Sequence, residues 1–207
     1  MNTCKPIILG IDFGDTIAIA RNQNEGDTRA LRMSEDPDFL NRQALPGAFI
    51  SINQLVTLLG PRNLFIVSRC SIPGEEKIMA WLEHHKFWEQ TGMKRENIRF
   101  CRERNQKGTI CAELGITHFV DDRFECLVAM KTVTRKYRLS GKLPDIAVQR
   151  VYTHSVPNRG AVVVYKAEYN PATTVQFQDW DMDTDLVQFP DWGLVTDTIL
   201  GRFKPIP

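Results

Sequence analysis

The stretch IILGIDFGDT, residues 7–16, predicts a short apolar strand that ends in an aspartate and a Gly-Asp-Thr turn. Such a strand would place Asp12 at the end of a sheet. The order of the next residues, with Gly14 before Asp15, bears on what chemistry that carboxylate can support.

Three more strand-like runs follow along the chain, with helical apolar spacing between them. The strand-like runs are 63–67, 98–101 and 116–120, and the helical ones are 46–59, 74–91 and 107–114. Alternating strands and helices with short links indicate an α/β fold, a three-layer Rossmann-like parallel sheet with helices on its faces. In such sheets ligands bind beyond the carboxyl ends of the strands.

The composition bounds the class of protein. With 207 residues, 43% of them hydrophobic and 25% charged, the chain suits one globular domain with an elaboration. A net charge of +1 gives no reason to expect a nucleic-acid partner. Five scattered cysteines signal neither a disulfide framework nor a zinc site, and no apolar run is long enough to cross a membrane. We expect a cytoplasmic protein without a membrane partner.

The residues that follow the strands carry the chemical signal. Two carboxylate clusters, a hydroxyl and an ammonium group would converge on one crevice: Asp12, Gly14, Asp15 and Thr16 after the first strand, Ser68 after the second, Asp121 and Asp122 after the fourth, and Lys107 before the fourth. Phosphoryl transfer to an aspartate needs this set, because a carboxylate attacks phosphorus only when cations offset both negative charges.

This pattern resembles the haloacid dehalogenase (HAD) superfamily, whose four motifs occur in this order on these elements. DFGDT matches the family's D-x-D-G-T at its first and fifth positions. IVS ending at Ser68, Lys107, and HFVDD ending at Asp121 and Asp122 resemble the other three motifs. The resemblance spans roughly residues 7–130, which we expect to belong to a HAD-like core over 1–130.

The resemblance implies a catalytic role for the first strand end and a Mg²⁺ site. Asp12 would be the nucleophile that forms an aspartyl-phosphate, and also a Mg²⁺ ligand. The backbone carbonyl of Gly14 would be a second ligand, and Asp121 or Asp122 would supply the third.

The resemblance also assigns the groups around the phosphoryl. Ser68 would hydrogen-bond a phosphoryl oxygen, and Lys107 would neutralise both Asp12 and the phosphoryl group. Thr16 would steady the turn, and the remaining member of the Asp121 and Asp122 pair would orient Lys107 or a metal-bound water.

One position departs from the family pattern. Phosphatases of the family carry an aspartate two residues after the nucleophile, where it acts as general acid and base, whereas this chain has Gly14 there and the aspartate at Asp15. Two alternatives stand: Asp15 reaches the same place because Gly14 lets the backbone shift, or it points away.

Two segments lie outside the motifs. Residues 17–45 are expected to form a small cap, and 131–207 a C-terminal elaboration that ends in a closing helix within 191–203. The basic run at 131–142 is interpreted as a solvated helix end and loop. The segment 131–190 is a candidate surface for a protein partner.

The sequence therefore supports two functions. The first is a Mg²⁺-dependent phosphohydrolase, acting on a small phosphomonoester through an aspartyl-phosphate at Asp12. The alternative is a catalytically weak or inactive HAD-fold protein that binds a phosphorylated ligand or a protein partner.

Overall fold

A parallel sheet forms the centre of the molecule. The structure, a computed structural model, describes residues 6–19, 36–139, 185–189 and 191–200. Within these, six strands pair in the order β3-β2-β1-β4-β5-β6, every neighbouring pair parallel. The strands are β1 Leu9–Ile11, β2 Leu64–Arg69, β3 Ile98–Cys101, β4 His118–Asp121, β5 Arg135–Leu139 and β6 Asp185–Phe189.

Within the described ranges, six α-helices connect and cover these strands. They are α1 Ala48–Leu59, α2 Ile72–His84, α3 Phe87–Thr91, α4 Gln106–Glu113, α5 Phe124–Ala129 and α6 Trp192–Ile199. Short 3₁₀ turns occupy Phe39–Asn41 and Arg95–Asn97. None of the helices among the described residues is long and apolar enough to span a bilayer.

The sheet separates two apolar cores, which confirms the predicted three-layer α/β architecture. Residues of α1, α2 and α6 pack with Leu9 and Ile11 on one face. Residues of α4 and α5 pack with Val67 and Phe119 on the other. Successive side chains along a strand point to opposite faces of the sheet. Odd- and even-numbered residues of one strand therefore pack in different cores.

Close packing at Gly10 joins the two central strands. A Cβ atom on Gly10 would lie 2.4 Å from the Phe119 ring, so only glycine fits there without displacing the ring. Phe119 can therefore fill the core beside β1, the strand that ends at Asp12.

The predicted strands and most predicted helices are confirmed, with shifted ends. The helix predicted over 74–91 is two helices, because Lys86 has φ +52 and this left-handed conformation ends the helical backbone between α2 and α3. The closing helix predicted within 191–203 is α6.

The interpretation of 131–142 as a helix end and loop is wrong. Residues Arg135–Leu139 form β5, and Lys136, Tyr137 and Leu139 are buried. Three of the five residues are Arg or Lys, which hides the strand pattern because parallel strands are usually apolar runs. The sheet thus continues past residue 130, while most of 131–190 and of the predicted cap lies outside the described residues.

His118 on β4 is expected to make stability pH-dependent. Burial, with help from Arg135, lowers the pKa of its imidazole to about 4. Above the unfolded value of about 6.5 His118 is neutral in both states, but below it the unfolded chain takes up the proton first. Stability should therefore fall by roughly 2 kcal/mol between pH 7 and 4.5 through this group.

The variant His118→Phe keeps an aromatic ring against Tyr137, 6.1 Å from the His118 ring centroid, and removes the titration. Urea unfolding of both proteins at the two pH values measures the difference. An equal loss of stability in both proteins would contradict the assignment to His118.

Candidate active site

A buried lysine joins the two central strand ends. The Lys107 ammonium lies 2.8 Å from Asp12 Oδ1 and 2.8 Å from Asp121 Oδ2. Lys107 is only 2% exposed, and ion pairs removed from water interact more strongly than pairs on the surface. It lies in the first turn of α4, where a cation is unfavourable, and the two carboxylates offset that cost.

The sheet register brings the two aspartates together. Ile11 on β1 pairs with Val120 on β4, so Asp12 and Asp121 come at the same level on neighbouring strands. The backbone N–H of Asp12 donates to the Val120 carbonyl at 2.9 Å and fixes this level. Asp121 Oδ1 in turn accepts from the Arg123 N–H at 2.8 Å.

Burial and neighbouring charges shift the pKa values of both Lys107 and Asp121. Burial alone would lower the pKa of the Lys107 ammonium, but Asp12 and Asp121 outweigh it, so the pKa lies above its ordinary value. Burial and the Asp12 charge raise the pKa of Asp121 to about 6, against the opposing effect of Lys107. Lys107 is therefore a permanent cation within the site.

Three carboxylates fit a divalent metal ion. Oxygens of Asp12, Asp121 and Asp122 all lie within 4.8 Å of one another. Ligand oxygens on an octahedral Mg²⁺ ion are about 3–4 Å apart, and Mg²⁺ prefers carboxylate and carbonyl oxygens, so the donor set fits in kind and spacing. Lys107 engages one oxygen of Asp12, and Oδ2 contacts no hydrogen-bond donor among the described residues.

The loop after Asp12 is tightly closed by its own backbone. The Phe13 carbonyl accepts from the N–H groups of Ile17 at 2.8 Å, Ala18 at 3.1 Å and Thr16 at 3.4 Å. The Asp15 N–H donates to the Ala18 carbonyl at 2.7 Å.

Asp15 occupies the strained position of this loop. Its φ is +53, a region that glycine adopts at little cost and aspartate less readily. Gly14 is not among the glycines with positive φ. The chain therefore places its aspartate where the backbone favours glycine, and its glycine where the backbone makes no such demand.

Trp192, the first residue of α6, anchors this loop from the far end of the chain. Its indole N–H donates to the Thr16 carbonyl at 2.6 Å, and both residues are fully buried. The Thr16 hydroxyl has no partner among the described residues, so its backbone carbonyl makes the contact that fixes the turn.

Ser68 lies on β2, the neighbour of β1 on the side away from Asp121. It is buried, and its hydroxyl donates to no acceptor among the described residues. The hydroxyl is thus uncommitted at the carboxyl end of the sheet, where an anion could accept from it.

The structure brings most of the predicted site residues to one edge. Asp12, Lys107, Asp121 and Asp122 form the charged cluster, and Gly14, Asp15 and Thr16 belong to the loop that follows Asp12. Sequence reasoning missed Trp192 and the Arg123 amide. An amphipathic helix pattern marks Trp192 as a core residue, but nothing in the sequence pairs it with Thr16, 176 positions away.

Comparison with known structures shows the fold. The chain matches no protein-family model and no curated protein. A HAD family hydrolase from Deinococcus radiodurans R1, with bound phosphate and sodium, superposes with a TM-score of 0.52 at 11% identity over 97% of this chain and 99% of its own. A haloacid dehalogenase-like hydrolase from Burkholderia xenovorans LB400 gives 0.43 at 15% identity over 65% and 82%. The chain has the HAD-like fold that the motifs predict.

The contribution of the hydrogen bond from Trp192 to the Thr16 carbonyl can be measured by substitution. Trp192→Phe should lower the free energy of unfolding by about 1–3 kcal/mol, because the buried Thr16 carbonyl loses its donor. Trp88→Phe is the matched control, since its indole donates to an exposed Glu83 carboxylate at 3.1 Å. Chemical denaturation measures the free energy of unfolding of both variants. Equal decreases would show that the contact to Thr16 stabilises the protein no more than the exposed contact of Trp88.

Proposed function

We propose that this protein is a Mg²⁺-dependent phosphohydrolase that acts on a small phosphomonoester through an aspartyl-phosphate at Asp12. The observation that carries the proposal is the Lys107 ammonium, 2.8 Å from both Asp12 and Asp121. A carboxylate paired with a buried cation at the carboxyl end of a parallel sheet suits attack on an anionic phosphoryl group.

The metal would be held by Asp12, Asp121 and Asp122, with the Gly14 carbonyl as a further ligand. When bound, a Mg²⁺ ion supplies positive charge that offsets the phosphoryl oxygens. The HAD family hydrolase from Deinococcus radiodurans, which has bound phosphate and sodium, supports an oxyanion and a cation as ligands of this fold.

In the first step, an Asp12 carboxylate oxygen attacks phosphorus as the bond to the leaving oxygen breaks. Lys107 already holds Asp12 Oδ1, so it orients the carboxylate and neutralises charge as the new bond forms. The Ser68 hydroxyl donates to a phosphoryl oxygen. Water then attacks the aspartyl-phosphate, which releases phosphate and restores the Asp12 carboxylate.

Asp15 is the candidate for the proton transfers. The leaving oxygen needs a proton in the first step, and the attacking water must lose one in the second. Asp15 is half-buried in the loop that directly follows Asp12, and its φ is +53. The strain stored at that residue supports an adapted role for its carboxylate.

A second function, a HAD-fold protein that binds a phosphorylated ligand or a protein partner with little or no catalysis, rests on Gly14. The position two residues after Asp12 carries no side chain, so the usual acid is absent there. The segment 131–190 stays the candidate partner surface for this alternative. A cytoplasmic setting, a core over 1–130 and a cap within 17–45 also stay predictions.

Asp12→Asn should reduce Mg²⁺-dependent phosphate release from phosphomonoesters to background, because the amide is a poor nucleophile and a poor metal ligand. Phosphate release from a substrate panel, with Mg²⁺ present and then chelated, measures the effect. Asp38→Asn, at an exposed loop residue, is the matched control and should keep full activity. Release that persists unchanged in Asp12→Asn would rule out the aspartyl-phosphate.

The paired change Gly14→Asp with Asp15→Gly restores the usual order of the motif and separates the two functions. It places glycine at the positive-φ residue, so the loop should fold at least as well. An enzyme adapted to Asp15 should lose about tenfold or more of its rate of phosphate release, because the carboxylate that transfers the protons is then at residue 14 and not at residue 15. A large gain would instead favour the binding protein, with catalysis lost at Gly14.

A further inference from the structure

Two arginines lie together at the carboxyl end of β2 and β3, beside the candidate active site. Arg69 is the last residue of β2, and Arg102 directly follows β3. The Arg69 Nε donates to the Arg102 carbonyl at 3.1 Å, and the Arg102 Nη1 donates to the Cys70 carbonyl at 3.1 Å. Each side chain is thus held by the backbone of the other strand, and we call the two residues the arginine pair.

Arg69, the first member of the arginine pair, shares a face of the sheet with the charged cluster, whereas Arg102 follows β3 and bonds to Glu75 of α2. Ile11 pairs with Ile66, so Val67 lies level with Asp12 and on the same face. Arg69 is two residues further along that face, about 7 Å nearer the open end and about 5 Å across from the strand of Asp12.

The Cys101 thiol interacts electrostatically with both groups of charges. Cys101 pairs with Arg69 in the sheet. Burial raises the pKa of the Cys101 thiol, Lys107 lowers it, Asp12 raises it, and Arg69 and Arg102 lower it. One side chain therefore lies within electrostatic range of both the nucleophile cluster and the arginine pair.

Arg69 presents an unused donor edge. Its only hydrogen bond within the described part of the chain is through Nε, so Nη1 and Nη2 meet no described acceptor, and the side chain is exposed. Arg102 is also bonded to the Glu75 carboxylate at 2.5 Å, so Glu75 offsets one of the two positive charges. The pair keeps a net positive charge, and the Nε contact holds the Arg69 side chain against the end of β3.

From these positions, we infer that the arginine pair is a subsite for a second anionic group of the substrate. The substrate class is a phosphomonoester that carries a carboxylate or a second phosphate a few bonds from the reacting phosphorus. A guanidinium edge matches the two oxygens of either group. This inference rests on the proposed function, because it takes the phosphoryl group to be bound at Asp12 and Lys107.

Three non-hydrolysable ligands, each with two methylene groups after the reacting-end phosphonate, test the subsite: propylphosphonate, 3-phosphonopropionate and ethane-1,2-bisphosphonate. They differ in whether the far end is a methyl group, a carboxylate or a phosphonate. Calorimetric titration of the full-length protein with Mg²⁺ present gives each Kd without turnover.

At least one ligand with a second anion should bind about tenfold tighter than propylphosphonate, and the tighter of the two identifies a carboxylate or a phosphate. Arg69→Gln should remove that advantage and leave the Kd of propylphosphonate unchanged. Arg99→Gln is the matched control, because Arg99 is exposed on the same face of β3, two residues further from the open end.

Equal Kd values for all three ligands in the unmodified protein would overturn the subsite. So would an Arg69→Gln variant that weakens all three ligands equally. If propylphosphonate fails to bind while both ligands with a second anion bind through Arg69, the result would count against the phosphoryl site and for the arginine pair. Absence of binding by all three ligands would overturn both.

Discussion

The contact on which the site depends is the one between the Lys107 ammonium and the carboxylates of Asp12 and Asp121, at 2.8 Å each. Two buried carboxylates at the same level of neighbouring strands repel each other strongly unless a cation separates them. Lys107 supplies that cation from α4, on the face of the sheet where Phe119 and Val67 pack. The sheet order β2-β1-β4 and the burial of α4 are therefore conditions for the charge cluster.

The same arrangement gathers oxygen ligands that suit a cation. Oxygens of Asp12, Asp121 and Asp122 lie within 4.8 Å of one another, a donor set that fits a divalent ion. Metal binding and lysine pairing do not compete for the same atoms of Asp12, because Lys107 holds Oδ1 and no described donor holds Oδ2. The pairing thus orients Asp12 through Oδ1 and leaves Oδ2 without a donor among the described residues.

Local pattern was sufficient to predict the four strand ends, because each follows an apolar run bounded by turn residues. The resemblance to the HAD motifs, not local pattern, predicted Lys107 as a partner of Asp12, and the structure places it there. Local pattern did not predict β5, since Lys136 is buried within a basic run that has the composition of a surface. Nor could it predict the contact from Trp192 to Thr16, because the register of α6 against the loop depends on the whole sheet.

In the loop after Asp12, the backbone bonds that close the turn do not depend on which residues stand at positions 14 and 15. Its closure depends on backbone groups of Phe13, Thr16 and Ala18, which any residue order at 14 and 15 would supply. The exchange of glycine and aspartate therefore leaves the turn closed, and its cost appears as the positive φ of Asp15. A chain under no constraint there would relieve that cost with glycine, at no loss of backbone bonding. The positive φ therefore falls on Asp15, the acidic residue of this loop, directly after the strand that ends at Asp12.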